Sequence, residues 1–173
     1  MSITSLKTPS NKANTGEFVD LLGPCIQFLT PLSDDDDEYC LMRRIFPAGV
    51  VVPVHSHDER ETFYVLEGEI DGLWDDRWGT FRIGDVVDVP GGLKHAWRNA
   101  SGASASTLVV VPMRLGRALR EFGRLAETAC QGAPKPADFQ RLLEIVGAYG
   151  YWIGSPAYIV WLIPTRSTAA FRS

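Results

Sequence analysis

Short apolar segments recur along the first two thirds of the chain, at 25–29, 39–46, 50–57, 62–66, 70–74, 80–83, 86–89, 95–99 and 106–112, with Gly, Pro and Asp between them. Many short segments with this punctuation predict an all-β sandwich or barrel. After Pro112 the period changes: Leu115, Leu119, Phe122 and Leu125 or Ala126 recur every three to four residues, while Arg114, Arg117, Arg120 and Arg124 take the other face. That is the pattern of an amphipathic helix. A second helix is predicted from about 137 to 149, with Pro134 and Pro136 before it, Phe139, Leu142, Leu143 and Val146 as its apolar stripe, and Gly150 where a C-terminal cap belongs. Residues 1–16 are rich in Ser, Thr, Asn and Lys without periodicity and read as a loose arm. Residues 17–112 then form the barrel, and 113–173 a helical extension and tail packed on it or on a partner. Within that tail, 151–173 receives no assignment.

The chain has 173 residues, 45% hydrophobic and 22% charged, with a net charge of -4. This is the size and make-up of one ordinary globular domain. A negative balance argues against nucleic acid, whose binding depends on neutralising phosphates. Cys25, Cys40 and Cys130 are odd in number and widely spaced, so they read as reduced thiols of a cytoplasmic protein. The polar N-terminus lacks the apolar stretch of a signal peptide, and the apolar run 151–163 is too short and too interrupted to span a bilayer. The acidic run 34–38 lacks calcium-loop spacing and reads as a solvated loop.

Candidate chemistry lies in the histidines. There are three, and all fall in fixed patterns: His55 and His57 in G-x5-H-x-H-x3-E-x6-G, His95 in G-x5-P-x-G-x2-H-x3-N. Alternate strand residues share a face, so His55 and His57 project together. A turn at 58–60 followed by an antiparallel hairpin would bring Glu61 back beside them, and His95 would arrive from a more distant strand after Pro90-Gly91-Gly92. Three imidazoles and a carboxylate suit one divalent transition ion, whether Fe, Mn, Ni, Cu or Zn. The absence of a cysteine ligand argues against a closed structural zinc site, and open coordination positions mean reactivity.

These residues resemble the cupin superfamily. Gly49, His55, His57, Glu61 and Gly68 match every fixed position of its first motif, and Gly84, Pro90, Gly92, His95 and Asn99 every fixed position of its second. The phrases FYVLEGE and HAWRN are similar to small bacterial single-domain cupins likened to quercetin dioxygenase. The resemblance implies a double-stranded β-helix, a jelly-roll barrel, here followed by a C-terminal pair of α-helices. It also implies His55, His57, Glu61 and His95 as metal ligands.

From strand parity, Phe63 and Val65 share the face of Glu61, Trp97 that of His95, and Trp74 and Ile70 line the next strand; each is a pocket candidate, with core packing as the plainer reading. Arg44 alternates with Met42 and Phe46 and is a candidate for a substrate anion, against a surface salt bridge. Asn99 is expected to bond a neighbouring loop. The functional expectation is a metal-dependent dioxygenase acting on a small hydrophobic or aromatic molecule, with Glu61 as fourth ligand and, if it detaches, as base. The alternatives are a non-oxidative isomerase, lyase or decarboxylase, or a non-catalytic small-molecule-binding cupin. A homodimer is expected from the open barrel edge and from Trp152 and Trp161 in the apolar tail.

Overall fold

A computed structural model describes residues 18–126 and 136–154. The strands are β1 (Phe18–Asp20), β2 (Cys25–Phe28), β3 (Tyr39–Phe46), β4 (Val51–Ser56), β5 (Glu61–Glu67), β6 (Glu69–Trp74), β7 (Arg77–Arg82), β8 (Val86–Val89), β9 (His95–Arg98) and β10 (Ala105–Pro112). Then come α1 (Met113–Phe122), β11 (Arg124–Ala126), α2 (Pro136–Ala148) and β12 (Trp152–Ile153). One sheet has the order β11-β1-β2-β3-β10-β5-β8 and the other β12-β4-β9-β6-β7. Every pairing is antiparallel. Successive strands from β3 to β6, and again from β7 to β10, therefore cross between facing sheets. This is the double-stranded β-helix expected from the sequence, with its two helices after the barrel.

Alternation builds the core. On β3 the inward positions are Cys40, Met42, Arg44 and Phe46, and on β5 they are Glu61, Phe63 and Val65. Val109 of β10 pairs with both Met42 and Phe63, so three strands stack into one layer. From the opposite sheet Trp97 packs its ring against Phe63 at 4.4 Å and is fully buried. Each such large side chain contributes about 1.5–3 kcal/mol through burial. The other sheet makes room for that indole at Gly72, where a Cβ would lie 2.8 Å from it.

Three local readings change. The turn at 58–60 is not a hairpin, because β4 pairs with β9 and β12 while β5 pairs with β10 and β8; the chain crosses from one sheet to the other there. Helix α1 stops at Phe122 rather than continuing through Leu125, since Gly123 turns extended and fits where a Cβ would strike Val19 at 1.8 Å. Arg124 and its neighbours add a strand to β1 instead. On α2, Ile145 and Val146 are buried whereas Leu143 is 52% exposed, so Ile145 takes the place expected of Leu143. The side chain of Phe139, the arm 1–16, Cys130 and Trp161 lie outside the described residues.

Other expectations stand. Gly150 caps α2 at φ +74°, with its N–H donating to Gly147 O at 3.1 Å and the N–H of Tyr151 donating to Val146 O at 2.9 Å, the two bonds of a Schellman motif. Asn99 Nδ2 donates to Phe46 O and Ala103 O, both at 2.8 Å, which ties two loops. The acidic run 34–38 is exposed, as a solvated loop should be, and Asp36 in it pairs with Arg117 of α1. Helix α1 lies close on β3 because Gly116 faces Cys40; a Cβ there would be 2.8 Å from that residue's own Cβ. Burial pushes the Cys40 thiol up to about 11, and Cys25 and Cys40 are both buried. Among the described residues no helix is long and apolar enough to cross a membrane.

The turn before β9 gives a direct test of this architecture. Gly92, at φ +79°, donates its N–H to His57 O at 2.7 Å, and a Cβ on Gly91 would lie 1.9 Å from Asp58 O. Gly91→Ala should lower unfolding stability by about 1–3 kcal/mol or more through backbone displacement, whereas Gly102→Ala, with open space at its Cβ, should change it little in urea unfolding.

Candidate metal centre

Strand β4 delivers His55 and, just past its end, His57 to one face; β9 delivers His95, which sits directly opposite His55 in the ladder. The residue remote in sequence is thus a nearest neighbour in the sheet. Ligand-type atoms of the three imidazoles all lie within 4.8 Å of one another. Glu61 enters from the facing sheet, with Oε2 at 3.8 Å from His57 Nε2 and 3.7 Å from His95 Nε2.

The rings are not free to turn. His55 Nδ1–H donates to Pro53 O, His57 Nδ1–H to Glu59 O and His95 Nδ1–H to Leu93 O, each at 2.8 Å. A carbonyl can only accept, so each Nδ1 carries the proton and each Nε2 presents a lone pair. Three identical clips leave three uncommitted Nε2 atoms aimed at one point. His95 Nε2 and Glu61 Oε2 are buried and have no hydrogen-bond partner. An unsatisfied buried polar atom costs about 1–3 kcal/mol, and a cation at this point would satisfy both atoms at once. The donor set therefore fits a divalent transition ion.

Charge in the site is organised by Arg44. Its Nη2 donates to Glu61 Oε1 at 2.9 Å, and both side chains are almost wholly buried. Arg44 belongs to the barrel interior, and the surface salt bridge considered for it does not form. Burial alone would raise the Glu61 pKa; the Arg44 guanidinium, followed by His57 and His95, holds it well below the usual carboxylate range. On His57 burial opposes protonation, but the Glu61 carboxylate outweighs it and keeps the pKa above its ordinary value. His55 is half-buried and lines a cavity. Burial, then the neighbouring His95, push it down to about 3.

That cavity, of about 120 Å³, joins the cluster to the helical extension. Arg44, His55, His57 and Glu61 line it, and its apolar wall includes Leu21, Val52, Leu115, Phe122, Val146 and Ile153. Of the pocket residues proposed from parity, only Arg44 lines it. Phe63, Val65 and Trp97 are fully buried in the core, and Trp74 stacks on Phe81 at 5.3 Å. Parity identifies the inward face, but height along the barrel decides which inward residue meets the opening.

Sequence reasoning also passed over Glu59 and Tyr151. Glu59 carries a buried carboxylate that accepts from Arg114 and, at 2.8 Å, from Tyr151 Oη. Burial, then the bond to Glu59, raise the Tyr151 phenol above its ordinary value, so it remains a donor. The available signal was the pair of acidic residues, Asp58 and Glu59, lying between His57 and Glu61.

Residues 42–111 match the family described as Cupin domain. The matched segment runs from within β3 to within β10. The chain is similar to several solved structures. One is an RmlC-like cupin from Shewanella frigidimarina, with 21% identity and a TM-score of 0.50, covering 62% of this chain and 91% of its own. A predicted oxalate decarboxylase from Thermotoga maritima has 21% identity and a TM-score of 0.48, covering 62% and 98%. The DMSP lyase DddQ from Ruegeria pomeroyi has 28% identity and a TM-score of 0.41 over 44% of this chain and 39% of its own. The sequence matches no curated protein.

The neutral His55 sets an acid limit. The unfolded chain protonates His55 near 6.5, while the folded protein does so only near 3; between these values the unfolded state holds the extra proton and stability falls as pH is lowered. Metal-free protein taken from pH 6.5 to 5 should lose on the order of 2 kcal/mol from this group. Urea unfolding of His55→Asn should show a correspondingly smaller drop between those pH values; an equal drop in both proteins would contradict it.

Proposed function

We propose that the protein is a metal-dependent cupin enzyme, foremost a dioxygenase, acting on a small hydrophobic or aromatic molecule that chelates through neighbouring oxygen atoms. The observation carrying this reading is the convergence of three clipped Nε2 lone pairs with the unpartnered Oε2 of Glu61. His55, His57, His95 and Glu61 would hold the ion. When bound, a divalent transition ion supplies a Lewis acid that favours deprotonation of a chelating hydroxyl or enol.

The chain's own groups divide the remaining work. The apolar wall from α1, α2 and β12 excludes water and favours a hydrophobic substrate. Arg44 fixes the Glu61 carboxylate through Oε1, leaving Oε2 as the oxygen that could receive a substrate proton. Because Arg44 keeps Glu61 ionised, that carboxylate is a weak base while the pair is intact; it is suited first to anchoring and accepts a proton only if the pair loosens.

One observation favours a second reading, the non-oxidative isomerase, lyase or decarboxylase. Arg44 Nε is a buried donor without an acceptor in a residue that lines the cavity. A guanidinium so placed suits a substrate carboxylate or enolate. Protein purified without added metal should contain near one transition ion per chain, and His95→Ala should lose it. Turnover of a chelating aromatic substrate should consume dioxygen. Equal turnover with and without air moves the assignment to the non-oxidative reading, and a metal-free wild type removes the metal-dependent function altogether.

A further inference from the structure

The pocket wall and the ligand cluster are joined by a network centred on the buried carboxylate of Glu59. Glu59 follows the ligand His57 by two residues, and its side chain is 8% exposed. Burying a carboxylate is expensive unless it is paired. Its partners come from far along the chain: Arg114 at the start of α1, and Tyr151 just after α2. Arg114 also donates through Nη2 to Tyr149 O at 2.8 Å, and its guanidinium lies 5.4 Å from the ring centres of both Tyr149 and Tyr151. The Gly150 cap turns the chain so that Tyr151 reaches this spot, and its ring then stands 5.7 Å from that of His57.

Glu59 meets His57 twice. Its main-chain oxygen accepts from Nδ1–H, and its Oε2, which has no hydrogen-bond partner, lies 3.8 Å from the same Nδ1. Neither His55 nor His95 has an ion-pair distance from Nδ1 to a carboxylate among the described residues. A carboxylate behind the donor nitrogen of a ligand imidazole orients the ring and increases its electron donation to a metal. Immediately after Tyr151, β12 pairs with β4 across His55 and Ser56. The extension is therefore tied to the ligand strand at two successive places.

We propose that Glu59, held by Arg114 and Tyr151, is a positioning residue for His57, so that seating of the helical extension on the barrel sets the metal affinity and ligand field of the cluster. This rests on the reading of the cluster as a metal centre.

The test is titration of metal-free full-length protein with Co²⁺, following both the dissociation constant and the visible d–d bands, for wild type, Glu59→Gln, Tyr151→Phe, His57→Ala and, as control, the exposed Glu67→Gln. Glu59→Gln keeps the backbone clip and removes the charge. It should weaken Co²⁺ binding by ~10- to 100-fold and move the d–d bands; Tyr151→Phe should act in the same direction and more weakly, and Glu67→Gln should match wild type. An unchanged constant and spectrum in Glu59→Gln overturns the positioning role while leaving the metal centre intact. Absence of Co²⁺ binding by wild type overturns the metal centre and the positioning role with it. If circular dichroism shows Glu59→Gln unfolded, Tyr151→Phe decides: a shifted spectrum supports the role and an unshifted one overturns it.

Discussion

The ion pair of Arg44 and Glu61 is the constraint around which the interior is arranged. Both groups sit on inward faces of the seven-stranded sheet, on β3 and β5, and reach one another across β10. Removing either partner from such a pair leaves an uncompensated buried charge, at a cost of about 3–5 kcal/mol. The pair therefore fixes where an ionised carboxylate can stand in a core otherwise filled by Phe63, Val65, Val109 and Trp97. With one oxygen held by Arg44, the other can face only the imidazoles of the opposite sheet. The direction of Glu61, and with it the pull of its carboxylate on His57, follows from that one bond.

Much of this was legible in the residues. Period-two alternation placed the strands β2 to β10 within a residue or two at most ends, because each carries its own inside and outside. The ligand cluster was legible because its spacing coincides with the pleat. What alternation could not supply was pairing: nothing in residues 58–60 distinguishes a hairpin from a crossover, since both need a tight turn, and the choice depends on β10, which lies far along the chain. Arg44 shows a related limit. A lone cation on an inward face is ambiguous until its partner is known, and Glu61 had been assigned to the metal alone.

The pocket was the least legible part. Its wall comes from α1, α2 and β12, elements after the barrel whose apolar stripes read simply as packing surface. The same stripes on Leu115, Leu119 and Val146 both pack and border the cavity. Most of the cavity's apolar wall thus falls outside the matched segment 42–111. The barrel provides a clipped cluster that many chemistries can share, and the extension walls its opening.

The seat of α1 on β3 has a chemical corollary. Cys40 lies directly beneath Gly116, with its thiol pushed up to about 11. Thiol chemistry proceeds through the thiolate and needs access, and here both are withheld by the same helix that walls the cavity. The same close seat that packs α1 on the barrel therefore keeps this sulfur protonated and out of reach of reagents.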